Sequence, residues 1–336
     1  MDNGSPMARV LYVHSRRNTF TDIDRTALAE RFEVEGYFQP RLRVRPVELV
    51  RKLRRADVVF GWFASWHTFA ALALARVLRK PSVLVIGGFD TARMPEIGYG
   101  AQRRGPRRWM TRRTIAMATR LITNSNYSLR EIEANLGLGP DRVTVVHHGI
   151  PDRFDPRGAP PQAERMALTV GVVYGANLER KGHRPFVQAA SRLPDVRFVL
   201  AGRWTDDAAA ELRALASPNV TLTGYLEDDA LDDLFARAAV YVQASRHEGF
   251  GLSVAEAMLA RCVPVVTDAG ALLEVVGDTG VRIDSPDPDR IADGVRAALE
   301  LGPEGGERAR RRVLESFTYE KRRDGICHEV RLALSG

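Results

Sequence analysis

The chain is short of cysteine, of long apolar runs and of aromatic side chains, and each shortage removes a class of protein. Its 336 residues hold two cysteines, Cys262 and Cys327. That is too few for a disulfide framework and lacks the paired spacing of a zinc site, so both thiols read as reduced and structural. No stretch reaches the roughly 18 consecutive apolar residues that a membrane-crossing helix needs. The basic start has no apolar segment leading to a small-residue cleavage site, so the expectation is a soluble protein in the cytoplasm. Met1–Pro6, with its Asn-Gly-Ser-Pro, reads as a flexible tail, and Met7 is a candidate native start. No period of about 20–50 residues is visible, which argues against solenoids and propellers. Aromatics make up 7% of the chain and are not interleaved with the basic residues in any nucleic-acid-binding motif. No nucleic-acid partner is therefore expected, and a basic nucleic-acid binder is the remote alternative.

What is present is material for a large core and an uneven charge. Apolar residues make up 45% of the chain, and 49 basic against 42 acidic residues give a net charge of +7. Residues 1–150 hold 25 basic and 13 acidic residues, a net of +12, whereas residues 151–336 hold 24 and 29, a net of −5. The basic half suits an anionic partner such as a phosphate-bearing acceptor or acidic lipid headgroups; a solvated arginine-rich surface is the other reading.

Length favours two domains. Short β-branched runs alternate with helical stretches throughout, the pattern of βαβ units and parallel sheets. The first half is expected to carry strands at 9–14, 57–61, 82–86, 121–124 and 143–147, with helices over 69–78 and 109–118. A second series is expected at 168–173, 197–201, 220–223, 239–243 and 263–267. Gly149-Ile150-Pro151 and the proline-rich stretch 155–162 form the candidate linker. Domains are placed at 1–155 and 163–317. The charged helix after Glu307 breaks near Phe317-Thr318-Tyr319, which lets the final segment, about 318–336, pack away from the second domain.

The most informative stretch is His247-Glu248-Gly249-Phe250-Gly251-Leu252-Ser253-Val254-Ala255-Glu256-Ala257-Met258, directly after an apolar strand. Two glycines in a strand-to-helix turn let backbone approach a ligand, and the helix behind them offers unpaired N–H groups and the positive end of its dipole to a diphosphate. Glu256, early in that helix, suits the cis-diol of a ribose. Glu248, at the mouth of the turn, suits a hydroxyl of whatever is attached beyond the phosphates. The alternative is a tight turn followed by a surface acid.

This arrangement resembles the Glu-x7-Glu motif of retaining glycosyltransferases of family four, which have the GT-B fold: α/β, two Rossmann-like doubly wound parallel-sheet domains facing across a cleft. The resemblance implies an enzyme that moves a sugar from a nucleotide-sugar donor to a hydroxyl acceptor, with no cofactor and no metal. Asp206-Asp207, Asp228-Asp229 and Asp232-Asp233 are expected at helix starts, as caps and dipole partners.

Further pieces fall in line. Gly175-Ala176-Asn177-Leu178-Glu179-Arg180-Lys181-Gly182 resembles the family's phosphate loop, with Lys181 the phosphate-binding lysine. The family's usual arginine five residues earlier is Ala176 here, leaving Arg180 or Arg203 to supply that charge. Gly202 and Arg203 resemble the glycine loop under the nucleotide base, and Tyr225-Leu226 the segment whose backbone contacts it. Gly270–Val276 resembles the segment that closes the donor pocket. The first half departs more. The family's Gly-Gly pair after the first strand is replaced by His14-Ser15-Arg16-Arg17, in which the arginines meet a phosphate or form a solvated turn. Gly87-Gly88-Phe89-Asp90 stands where relatives often carry a histidine. Asp90 is the acceptor-side candidate, as base or hydroxyl holder, with a capping role as the other reading. Gly88, Phe89, Trp66 and His67 are candidates to line the acceptor site, or to pack a helix.

Arg103–Arg120 contains seven arginines around Trp109, Met110, Ile115 and Met117. That composition fits peripheral association with the inner face of a membrane, and equally an amphipathic helix packed on its own sheet. A nucleotide-sugar epimerase or phosphorylase on the same fold is the nearer alternative function.

Overall fold

The computed structural model describes residues 7–15, 18–40, 43–154 and 164–336. The chain forms two compact units, one of Met1–Gly149 with Tyr319–Gly336 and one of Ile150–Thr318.

In the first unit, β1 (Arg9–His14), β2 (Glu33–Phe38), β3 (Val58–Trp62), β4 (Ser82–Val85), β5 (Arg120–Thr123) and β6 (Val143–Val145) form a parallel sheet in the order β2-β1-β3-β4-β5-β6. The middle strands are apolar on both faces because helices cover both, as a parallel sheet requires. The final helix, Tyr319–Ser335, supplies Ile326, Cys327 and Val330 to one of the two cores of this unit. A fully buried ion pair anchors it: Arg322 Nε and Nη2 donate to the two carboxylate oxygens of Asp24 at 2.8 and 2.6 Å. The same guanidinium donates to the Val146 carbonyl, and Trp62 donates its indole N–H to Asp24.

In the second unit, β7 (Glu164–Val170), β8 (Arg197–Ala201), β9 (Val220–Gly224), β10 (Ala238–Gln243), β11 (Val263–Thr267) and β12 (Val281–Ile283) run parallel in the order β12-β11-β10-β7-β8-β9. Its first strand therefore lies beside its fourth, and the β7/β10 pair is the switch point at whose carboxyl ends open α/β sheets bind ligands.

Each sheet has six strands where sequence patterning predicts five. The two additions are edge strands. β2 reads Glu-Val-Glu-Gly-Tyr-Phe and is half exposed, so it lacks the apolar run that marks its neighbours. β12 is three residues long. The helix break falls where expected, with one helix ending at Ser316 and the next starting at Tyr319. The domain boundary lies at 149/150 rather than 155. The segment 150–154 packs on the second unit through an ion pair of Asp152 with Arg310 and an edge contact of Phe154 on Phe235 at 6.1 Å. The proline-rich stretch 155–162 lies outside the described residues.

Candidate active site in the second domain

Two loops leave the adjacent strands β7 and β10 and meet. The first runs through the short helix Gly175–Arg180 to Lys181; the second turns at 244–251 into the helix Leu252–Leu259. Backbone holds them together, with Arg246 N–H donating to the Arg180 carbonyl at 2.8 Å. Gly182 has φ +69, and a Cβ there would sit 2.1 Å from the Ala244 carbonyl oxygen, so only glycine allows this approach. On the other side Gly270, φ +71, lies against the Glu248 carbonyl with the same 2.1 Å margin, and Ala271 N–H donates to that oxygen. The turn is thus pinned at two points, at Ala244 by Gly182 and at Glu248 by Gly270.

Lys181 Nζ forms a close ion pair with Glu248, the two side chains 17% and 16% exposed. Burial works to raise the Glu248 carboxyl, but the charges of Lys181, Arg180 and His247 more than offset it and hold it below the usual range. It is a carboxylate at neutral pH. Gly251, φ +104, is the N-cap of a helix whose first amides carry no side-chain cap. A cation, an acid and a helix terminus therefore surround one strand end, and of these the cation and the terminus can stabilise negative charge on a diphosphate.

Glu256, the acid eight residues on, is half-buried on that helix and meets Arg153 Nη2 at 3.2 Å. Arg153 also donates from Nε to Asp232 at 2.7 Å. Burial pushes the Glu256 carboxyl up and Arg153 pulls it back, leaving it above its ordinary value. Arg153 carries no motif, and sequence reasoning passed over it; its position just before the proline-rich stretch marked it only as linker.

The other predicted donor-side residues divide. Arg203 stacks over the Tyr225 ring at 4.8 Å, at the ends of β8 and β9, and Gly202 packs directly on the Gly171 backbone. Arg180 donates to Asn177 Oδ1 at 3.1 and 2.7 Å within its own helix, and its charge still acts on Glu248. Of the two candidates to replace the absent arginine at position 176, Arg180 is the one that acts on the cluster. Gly175 N–H donates to Asp206 at 2.9 Å. Phe250 and Leu226 turn their side chains inward. Phe250 is buried and meets Phe317 edge-on at 5.3 Å, and Leu226 packs partly buried on the same core, so their side chains belong to the interior. Gly249 and Leu252 contribute backbone at the turn and helix start. Asp232 and Asp233 are corrected: they lie within the helix Asp228–Arg237, not at its start, paired with Arg153 and Arg237.

In the first domain the acceptor-side candidates prove largely internal. Asp90 is buried, and its oxygens accept N–H bonds from Ala64 at 2.9 Å and Gly87 at 2.8 Å. Burial outweighs those bonds and raises its pKa to about 7. It closes the turn after β4. His67 donates from Nε2 to the Trp62 carbonyl at 2.7 Å, and burial lowers its pKa to about 4. Trp66 and Phe89 remain exposed, and Gly88, φ +63, sits in the turn. In the helix Pro106–Met117, Met110 and Ile115 are buried against its own domain, and of its large apolar side chains only Trp109 stays exposed. Arg16 and Arg17 lie outside the described residues. Among the described residues no three His, Cys, Asp or Glu side chains gather as a metal site, and no helix is long and apolar enough to cross a membrane.

Comparison with known proteins agrees with this geometry. The family profile for glycosyl transferases group 1 matches residues 165–300, and that for glycosyltransferase family 4 matches residues 10–154. The O-antigen chain mannosyltransferase B of Escherichia coli is 30% identical over 56% of this chain and 53% of its own length. The MMP alpha-(1->4)-mannosyltransferase of Mycolicibacterium hassiacum is 30% identical over 64% and 55%. The chain thus spans about half the length of the curated relatives it matches. Among solved structures, Anabaena HepE in complex with UDP and glucose superposes with a TM-score of 0.76 at 16% identity, covering 97% of this chain and 99% of that one. Sucrose-phosphate synthase of Thermosynechococcus elongatus gives 0.74 at 15%, covering 98% and 99%. With two Rossmann-like sheets of GT-B type and both halves matched by the family profiles, the chain belongs to glycosyltransferase family 4.

Proposed function

We propose that the protein is a retaining, metal-independent glycosyltransferase that takes a sugar from a nucleoside-diphosphate donor held by its second domain and passes it to a hydroxyl acceptor. The observation that carries this is the convergence of Lys181, Glu248 and the Gly251-capped helix at the β7/β10 switch point. A departing diphosphate needs positive charge where it leaves; Lys181 and the helix terminus supply it from the chain itself. Glu248, held ionised, accepts from a hydroxyl of the sugar, and Glu256 from the ribose. Retention of configuration follows the family. The titles of the HepE structures, which name complexes with UDP and with UDP-glucose, support a nucleotide-sugar as the donor class.

The test is a thermal-shift screen with UDP-, GDP-, ADP- and TDP-sugars, since a ligand of the native state raises its apparent stability. A rise with one nucleotide class, unchanged by a chelator, is expected. No rise with any of them contradicts the donor-site reading, and a strict Mg²⁺ requirement contradicts metal independence.

A further inference from the structure

Arg153 has no place in the roles described so far, yet it occupies a specific position. It reaches from the segment following β6 to two acids on two different helices, Glu256 at 3.2 Å and Asp232 at 2.7 Å. Glu256 is 15% exposed in its side chain, and burial alone drives such a carboxyl toward its neutral form. Asp232 and Asp228 of the neighbouring helix repel its charge further, and buried Tyr241 of β10 also lies within electrostatic reach. Arg153 is the cation that acts against all of these. A neutral carboxyl spends one oxygen as a donor; a carboxylate offers both oxygens to the two hydroxyls of a cis-diol. With Asp232 fixing the guanidinium at Nε and Nη2 turned to one oxygen of Glu256, the acid is held in one orientation.

We propose that Arg153 is the positioning residue for ribose recognition: anchored by Asp232, it holds and aims Glu256, so that selection of a ribonucleotide over a deoxyribonucleotide depends on a residue that reaches the sugar only through that acid. This rests on the donor-site reading above. It assigns Arg153 no contact with phosphate, so the diphosphate contribution to binding, carried by Lys181 and the helix terminus, is independent of it.

The experiment is calorimetric titration of the full chain with UDP, GDP and ADP, each beside its 2′-deoxy form, for wild type, Arg153→Gln, Arg153→Lys and Glu256→Gln. Wild type is expected to favour the best-binding ribonucleotide over its deoxy form. Arg153→Gln is expected to lower that preference by about tenfold, the range of a hydrogen bond to a charged group, while the affinity for the deoxy form, which keeps the 3′-hydroxyl, falls less than that of the ribo form. Arg153→Lys is expected to restore part of the preference, and raising the pH to restore part of it in Arg153→Gln, because Glu256 then ionises without its partner. A preference in Arg153→Gln equal to that of wild type, with Glu256→Gln having lost it, overturns this inference and leaves the donor site standing. An equal loss of ribo and deoxy binding also overturns it. If wild type binds none of the three, the donor-site reading falls and this inference with it.

Discussion

The two domains finish their central strands in opposite ways. In the second, Lys181 and Glu248 on the loops after β7 and β10, Glu256 on the helix that follows, and Arg153 from the segment after β6 are charged side chains that pair with one another and still keep 15–31% of their surface in solvent. In the first, the ionisable groups near the strand ends are buried and turned inward. His67 bonds the Trp62 carbonyl, Asp90 takes two backbone N–H groups, and His148 stacks on Trp62 with its rings 5.7 Å apart. Burial holds both histidines neutral. The contrast separates two uses of the same residue types. A titratable group satisfied by its own backbone stabilises a turn, whereas a charge paired with another side chain and partly hydrated can exchange that partner for a ligand.

The sharpest way to break this contrast is to exchange the two kinds of ion pair. Asp24→Ala strands the buried Arg322 guanidinium in the first domain and is expected to cost about 3–5 kcal/mol of stability, measured by urea unfolding. Lys181→Ala is expected to change stability far less and to lower donor turnover about 10²–10³-fold, the loss of roughly 3–4 kcal/mol of transition-state stabilisation. A large stability loss at Lys181, or a small one at Asp24, removes the distinction.

The histidines test it through pH. The unfolded chain protonates them near the ordinary value of 6.5, but the native state holds His67 neutral down to about 4 and His183, buried beside Lys181 and Arg180, down to about 3. Stability is therefore complete above 6.5 and falls as pH drops below it, with His67 contributing up to about 3 kcal/mol by pH 4. His67→Gln is expected to flatten the stability–pH curve between 6.5 and 4; a curve as steep as that of wild type contradicts the burial argument.

The smallest expected effect is at Gly270. An alanine there meets the Glu248 carbonyl and adopts a strained φ, so Gly270→Ala is expected to cost about 1–2 kcal/mol of stability while lowering turnover more than that loss explains, because it displaces Glu248. Melting temperatures measured beside turnover would separate the two effects.

The second domain was far more legible in sequence than the first. A glycine turn, two acids at fixed separation and a lysine before a glycine are local features, and local features survive in a linear reading. Partners brought together by folding are not local. Arg153 meets an acid about a hundred positions later, and nothing in its own surroundings announces it. Asp90 has partners of the same non-local kind. An acid beside two glycines at a strand end shows in the sequence, whereas the Ala64 N–H that another loop donates to it does not. The edge strands β2 and β12 escaped because strand patterning records burial, and edges are only partly buried.

The most direct test compares one residue from each domain against one ligand. Calorimetric titration of the best-binding nucleoside diphosphate into wild type, Lys181→Ala and His67→Gln should show affinity falling at least about tenfold at Lys181, as loss of a charged phosphate contact implies, and staying at the wild-type value at His67. Equal losses at both positions, or a loss at His67 alone, would contradict the placement of the donor diphosphate at the β7/β10 strand ends.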